Sequence, residues 1–342
     1  MSRKAIAQLS YPFPEVPAPG TTIEVARGIH WLSMPLPFQL DHINLWLLED
    51  DDGWTIIDTG IGNAETRSLW EKILGNRKVK RVVVTHYHPD HAGNAAWLCS
   101  RYGVELWMTQ GEYLTAHAVR NSSAGYTTEA VVKVFRRNGL GDEHYEKMRG
   151  RGNRYGELVP EFPLSYRRII EGDELVIGKR RWRAIIGHGH APEHLSLHCR
   201  EMNTVIAGDM LLSTISTNVS VWSIDPEGDP LRLFLDSLER YRELPDDILV
   251  LPSHGKPFRG AHQRVEQLQK HHQDRFADVL QSLKENPRSA AELLAVLFRR
   301  PLDTHQMFFA MGEAIAHLHY LYYAGRAERT LGDDGIIRYA TR

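Results

Sequence analysis

The sequence predicts an α+β fold, and three observations carry the prediction. Short β-branched and aromatic runs recur through the first hundred residues and return after residue 166. Between about Gln110 and Tyr166 they give way to helix-like stretches broken by glycines, which reads as a helical insertion on a sheet scaffold. After Pro257 the chain turns helical again and ends on a hairpin pattern. The expected organisation is one large domain over residues 1–260, with its insertion at about 110–166, and a small C-terminal domain over 261–342.

The elements follow in order. The first twenty residues are proline-rich and read as an extended arm. IEVARGIHWLSM, HINLWLLED and GWTIIDTG are strand-like, the last two separated by the turn Asp51-Asp52-Gly53. Glu65 to Leu74 is a helix closed by Gly75. Arg81 to Thr85 is a short apolar run, as expected of a strand buried on both faces. Ala92 to Tyr102 is predicted helical, and VELWMT returns to strand. Beyond the insertion, DELVIG, RRWRAIIG, HLSLHC and NTVIAGD are strands, Leu231 to Glu243 is a helix, and ILVLPSHG is a strand entering a loop. His262 to Lys284, SAAELLAVLF and HQMFFAMGEAIAHLHYLYYAG are helices, and AERTLGDDGIIRYAT is a hairpin. Three helices followed by a two-stranded wing is a winged-helix pattern. There is no internal repeat and no low-complexity tract.

Composition narrows the class. With 342 residues, 42% hydrophobic and 25% charged, the chain can build a sizeable core. A net charge of −2 gives no global footprint for nucleic acid or an anionic membrane. The two cysteines, Cys99 and Cys199, form no motif. No stretch approaches the roughly 20 apolar residues that span a bilayer. The N-terminus lacks the apolar core of a signal peptide. A cytoplasmic protein is the expectation. Eighteen histidines stand out, because histidine is the commonest metal ligand.

The stretch Thr85-His86-Tyr87-His88-Pro89-Asp90-His91-Ala92-Gly93-Asn94 carries the chemistry. It follows a buried strand, so its side chains are expected to project from a loop at one sheet end. His86 and His88 alternate and can converge on one metal, while Asp90 and His91 can reach a second. Imidazole and carboxylate ligands at this density suit zinc, manganese or iron. Tyr87 alternates with its neighbours and is expected to point away.

This HxHxDH pattern resembles that of the metallo-β-lactamase superfamily, and the remaining motifs follow in order. GHGHAPEH resembles the second metal motif and implies a ligand at His190, which precedes the Ala-Pro turn; His188 and His194 are the competing choices. VIAGDML resembles the strand-end aspartate motif and implies that Asp209 bridges. LPSHGKPF implies His254 as the last ligand. The resemblance covers roughly Thr22 to Phe258. It implies a four-layer αββα sandwich, here with the helical insertion and the small winged-helix-like C-terminal domain. It also implies two divalent ions, zinc first and manganese or iron as alternatives. His86, His88 and His190 would hold one, Asp90, His91 and His254 the other, with Asp209 between. Two ions ~3.5–4 Å apart lower the pKa of a shared water toward ~7 and make a hydroxide nucleophile. Asp90 is the expected catalytic carboxylate, orienting that water and relaying a proton to the leaving group. Asp58, in TIIDTG, is expected to orient a ligand histidine or to fix the loop.

The resemblance implies hydrolysis without naming the bond. Glyoxalase-II-like members point to a small carboxylic ester, thioester or lactone, although LLSTISTNVSVW replaces the glyoxalase segment after the aspartate. An endoribonuclease-like branch with winged-helix appendages gives the alternative, a phosphodiesterase acting on nucleic acid. Mono-iron persulfide-dioxygenase-like chemistry is the third reading. A small-molecule substrate is the expected partner, with nucleic acid second, no membrane, and a homodimer through the apolar C-terminal helices. Asn218 to Trp222 and the insertion, made locally basic by Arg120, Arg136, Arg137, Arg149, Arg151 and Arg154, are candidate substrate walls.

Overall fold

The structure is a computed structural model and describes residues 9–342. The N-terminal part of the expected arm lies outside the described residues; within them, Ser10 forms a β-bridge with Arg259. The strands are β1 (Ile23–Ala26), β2 (Ile29–Pro35), β3 (His42–Asp50), β4 (Gly53–Ile57), β5 (Val79–Val83), β6 (Leu106–Met108) and β7 (Arg167–Arg168). They are followed by β8 (Glu174–Ile177), β9 (Arg180–Gly187), β10 (His194–Cys199), β11 (Thr204–Gly208), β12 (Leu249–Pro252), β13 (Ala327–Leu331) and β14 (Ile337–Thr341). The helices are α1 (Ala64–Leu74), α2 (Pro89–Ala92), α3 (Ala95–Tyr102), α4 (Gln110–Arg120), α5 (Thr128–Arg137) and α6 (Asp142–Arg151). They continue with α7 (Tyr155–Leu158), α8 (Pro230–Glu239), α9 (Ala261–Glu285), α10 (Leu294–Leu297) and α11 (Thr304–Tyr323).

The chain forms two compact units, each assembled from three separate stretches. Among the described residues, the first comprises those up to 120, 155–217 and 238–265, and the second 121–154, 218–237 and 266–342.

In the first unit β1 to β7 form one sheet in sequential order, antiparallel as far as β4 and parallel from β4 to β7. The second sheet runs β12-β11-β10-β9-β8. Alternation along β3 shows how the sequence builds the layers. Leu45 and Leu47 pack with Trp70 of α1, Leu98 of α3 and Ala116 of α4, whereas Trp46 and Leu48 pack with Trp182, Leu195 and Leu251 of the second sheet. Both faces of the strand are therefore apolar, one buried under helices and one between sheets. On β10 of the second sheet, the Ser196 hydroxyl lies 2.7 Å from that of Tyr241, just beyond α8. Four strand ends carry site residues: β5 is parallel to its neighbours in the first sheet, and β9, β11 and β12 run in one direction in the second, so the loops that follow them emerge at one end of each sheet.

One expectation is corrected. The helix foreseen over Ala92 to Tyr102 is split, with α2 starting at Pro89, a residue favoured at a first helical position. Gly93 ends that turn by donating its N–H to Pro89 O (2.9 Å). Asp90 and His91 thus stand on a short helix instead of a loop. No side chain fits at 93, where a Cβ would lie 2.4 Å from Gly62 N and 2.6 Å from Gly60 O.

In the second unit α5 and α6 cluster with α10, α11, most of α9 and the antiparallel β13–β14 hairpin. Phe135 of α5 meets Phe308 of α11 with ring centroids 6.2 Å apart. Asp303 and Gln306 cap α11 reciprocally. Close packing against α11 is set at Gly312, whose Cβ would lie 2.6 Å from Ser220 Cβ.

Candidate metal centre

The site forms where β5, β9, β11 and β12 end. Beyond β5, the His86 imidazole is fully buried, and its Nε2 lies 2.9 Å from His88 Nδ1 and 3.2 Å from His190 Nε2. On α2, His91 presents Nε2 at 3.6 Å from Asp90 Oδ2 and 3.6 Å from Asp209 Oδ1. The His254 Nε2 is 3.3 Å from Asp90 Oδ2 and 3.7 Å from Asp209 Oδ1. The other Asp209 oxygen, Oδ2, is 3.5 Å from His190 Nε2. All seven residues expected from the sequence are thereby brought together. They form three groups, His86/His88/His190, His86/His91/Asp209 and Asp90/His91/His254, with the ligand atoms of each group within 4.8 Å of one another.

The alternatives at the second motif separate on geometry. His188 Nδ1 lies 2.7 Å from Pro192 O, His194 Nε2 accepts the N–H of Asp209 at 3.0 Å, and neither residue falls in any of the three ligand groups. Gly208 is held in the left-handed region (φ 54°), and a Cβ there would lie 2.4 Å from His194 Nε2. His194 is a prop beneath Asp209.

Tautomers are fixed from behind. Asp58, buried and left-handed (φ 62°), a region aspartate tolerates, accepts the Thr85 N–H at 2.7 Å and the Thr85 hydroxyl at 2.8 Å. Its Oδ2 is 2.8 Å from His91 Nδ1, which leaves His91 Nε2 facing the carboxylates. His254 Nδ1 is 3.2 Å from His42 O, which likewise turns its Nε2 inward.

Burial, reinforced by the neighbouring imidazoles, holds His86, His88 and His194 well below the usual histidine range, so they are neutral. Burial also opposes charge on His91, but Asp58, Asp90 and Asp209 prevail and push it up to about 10. The same contest raises His254, where Asp209 and Asp90 prevail. Burial would lift Asp90, yet His91 and His254 hold it well below the usual carboxylate range.

The donor set fits a divalent metal. His91 Nε2 and Asp209 Oδ1 are buried without a hydrogen-bond partner, an arrangement costly unless something else satisfies both. Zinc and its neighbours take imidazole nitrogens and carboxylate oxygens; His86 and His88 offer neutral rings, and a bound cation would displace the proton that the carboxylates hold on His91.

Two buried side chains of the site escape a reading of the sequence. Glu112 of α4 accepts the N–H of Tyr87 at 2.9 Å and of Glu193 at 2.6 Å. Burial pushes its carboxyl up to about 8 against the pull of those two bonds. Asn44 of β3 donates to Pro252 O at 2.9 Å and Gly255 O at 2.6 Å, bracketing His254. The substrate-wall candidates fare unevenly. Arg120 is tied to Val159 O at 3.1 Å, Arg136 to Asp142 at 2.8 Å, and Arg149 to Glu146 at 3.7 Å. In the second unit Val219 and Val221 are buried, and Trp222 meets Phe309 at 6.4 Å. Tyr87 packs with the core on the helix side of the first sheet.

This two-sheet scaffold with histidines and aspartates gathered at the strand ends defines a class, and comparison with known families names it. The chain belongs to the metallo-beta-lactamase superfamily, whose family model matches residues 39–254, and a metallo-beta-lactamase-like C-terminal domain model matches residues 276–342. In particular, it is similar to the crystal structure of a beta-lactamase domain protein from Burkholderia ambifaria, at 49% identity and a TM-score of 0.91 over 98% of both chains. It is also similar to a metallo-beta-lactamase family protein from Thermus thermophilus, at 30% identity and a TM-score of 0.78 over 92% of this chain and 99% of that one. Among curated relatives, a probable metallo-hydrolase of Bacillus subtilis is 25% identical over 85% of this chain and 91% of its own length. More distant ones are an atrochrysone carboxyl ACP thioesterase of Aspergillus fumigatus and a hydroxyacylglutathione hydrolase of Idiomarina loihiensis, at 23% and 22% identity over 81% and 61% of this chain. They cover 75% and 60% of those proteins. The chain is a metallo-hydrolase of this superfamily. Among the described residues no helix is long and apolar enough to cross a membrane.

Proposed function

We propose that the protein hydrolyses a small carboxylic ester, thioester or lactone with two divalent ions, zinc first. One observation carries the reading: the two oxygens of Asp209 face different nitrogen groups, Oδ2 toward His190 and Oδ1 toward His91 and His254. A carboxylate so disposed suits two ions better than one. His86, His88 and His190 would hold the first, Asp90, His91 and His254 the second, with Asp209 shared. When bound, the ions supply Lewis acidity and an acidified water.

The chain's own residues do the rest. Asp58 and the His42 carbonyl keep His91 and His254 turned inward. Asp90, anionic at neutral pH, orients the attacking water and carries a proton to the departing oxygen or sulfur. The acyl class is supported by the names of two relatives, a thioesterase and a hydroxyacylglutathione hydrolase. A paired panel tests it: thioesters, esters and lactones beside bis-p-nitrophenyl phosphate and short RNA, on zinc-replete protein. Turnover of acyl substrates alone is expected. Turnover of phosphodiesters alone would replace this reading with a nuclease.

A further inference from the structure

The imidazoles that would hold the first ion come from two different sheets. His86 and His88 follow β5 of the seven-stranded sheet, and His190 follows β9 of the five-stranded one. Their loops are joined at the base, where Leu195 N–H donates to Thr85 O at 2.9 Å. Nearer the tips the two loops meet through the His86 and His190 rings and are also tied through one buried side chain. Glu112, with no exposed surface, offers one carboxyl oxygen to the N–H of Tyr87, between His86 and His88. It offers the other to the N–H of Glu193, three residues beyond His190.

The clamp is reciprocal. Glu193 Oε2 accepts the N–H of Gly111 at 2.8 Å, and its carbonyl accepts the Thr109 hydroxyl at 2.8 Å. A Cβ at Gly111 would lie 3.0 Å from the Glu193 carboxyl carbon, so the contact leaves little room. The Tyr155 hydroxyl donates to Tyr87 O at 2.5 Å and holds the same residue through its carbonyl. Two inward-facing N–H groups need two acceptor atoms at one place. Only a carboxyl supplies them, since an amide of the same shape turns its NH₂ toward one of the donors.

We propose that Glu112 is a positioning residue that sets the distance between the two ligand loops, and so the geometry of the first metal group; this rests on the metal-centre reading above. It is fully buried, stands in none of the three ligand groups, and acts through the peptides of Tyr87 and Glu193.

The test compares full-length wild type with Glu112→Gln and Glu193→Ala by three readouts. These are zinc affinity by chelator competition, the visible spectrum of the cobalt-loaded protein, and the melting temperature. Glu112→Gln is expected to weaken one of the two ions by about 10–100-fold and to shift the cobalt bands. Glu193→Ala, which loosens the half-exposed side of the clamp, is expected to move both in the same direction by less. Leu98→Ala, a core substitution on α3, is expected to lower the melting temperature with the cobalt spectrum unmoved. Wild-type affinity and spectrum in a folded Glu112→Gln protein would overturn the proposal while leaving the metal centre intact. Should Glu112→Gln not fold, an unchanged Glu193→Ala overturns it instead. A wild type that takes up no divalent ion would overturn the metal-centre reading and this proposal together.

Discussion

Asp58 and His91 form a buried pair, Oδ2 to Nδ1 at 2.8 Å, with side chains 1% and 0% exposed. The pair decides which His91 nitrogen carries the proton, and hence that Nε2 is the one offered to Asp90 and Asp209. Asp58→Asn keeps the shape but can turn an NH₂ toward Nδ1 and favour the wrong tautomer. Zinc affinity measured by chelator competition is expected to fall by about 10–100-fold. An unchanged affinity would show that the pair only supports the loop.

In the proposed centre Asp209 would be shared by the two ions, because its two oxygens face different nitrogen groups, so its loss is expected to affect both. Asp209→Ala is expected to lose at least one ion and activity together, read by metal analysis of the dialysed protein beside turnover. Its backbone N–H still donates to His194, so the strand end stays in place. Retention of two ions and full turnover would remove Asp209 from the centre.

Asn44 acts on the other side of the site. Asn44→Ala leaves the buried Pro252 carbonyl and the half-buried Gly255 carbonyl without this donor, at a cost of about 1–3 kcal/mol. Because these carbonyls flank His254, the ion held with Asp90 and His91 is expected to weaken more than the other. Thermal melts and metal stoichiometry check the two parts separately.

A pH effect is expected in the second unit, away from any metal ligand. His317 and His272 form a hydrogen-bonded pair (3.3 Å) beside Phe276, with Phe234 facing His272. Burial depresses both, to about 4 for His317 and about 2 for His272. The unfolded chain therefore binds more protons than the folded one below the ordinary value of 6.5. Stability is fully present above pH 6.5 and is expected to fall as pH drops through 6.5 toward 4. Melting temperatures across that window check it, and His317→Gln should flatten the slope.

Much of the site is legible in the sequence because its residues are dense and ordered along the chain. Four of the seven stand within the six residues from His86 to His91, shortly after β5, and the other three close recognisable strand-end motifs. Asp58 is legible from its place at the end of β4. The choice among His188, His190 and His194 is not, since spacing cannot show that His194 Nε2 meets a backbone amide 15 residues away. Glu112 and Asn44 are invisible for the same reason. Their partners are backbone groups 25 and 81 residues distant for the one, and 208 and 211 for the other. In sequence, Glu112 is one more charge on a helix. The short helix α2 reads as loop in the sequence because proline commonly interrupts a helix, although it suits a first helical position. The grouping of 218–237 with α11 rests on remote contacts, such as Val221 N–H to Gly312 O at 3.1 Å, which no local pattern announces.

Acyl hydrolysis by this constellation, as proposed, needs two ions, and a metal titration of activity reads that requirement. Chelator-stripped protein is titrated with zinc while thioester or lactone turnover and bound metal are followed in the same samples. Turnover is expected to be absent without metal and to saturate at two equivalents per chain. Full turnover in the stripped protein, or saturation at a single equivalent, would rule out hydrolysis that depends on two ions.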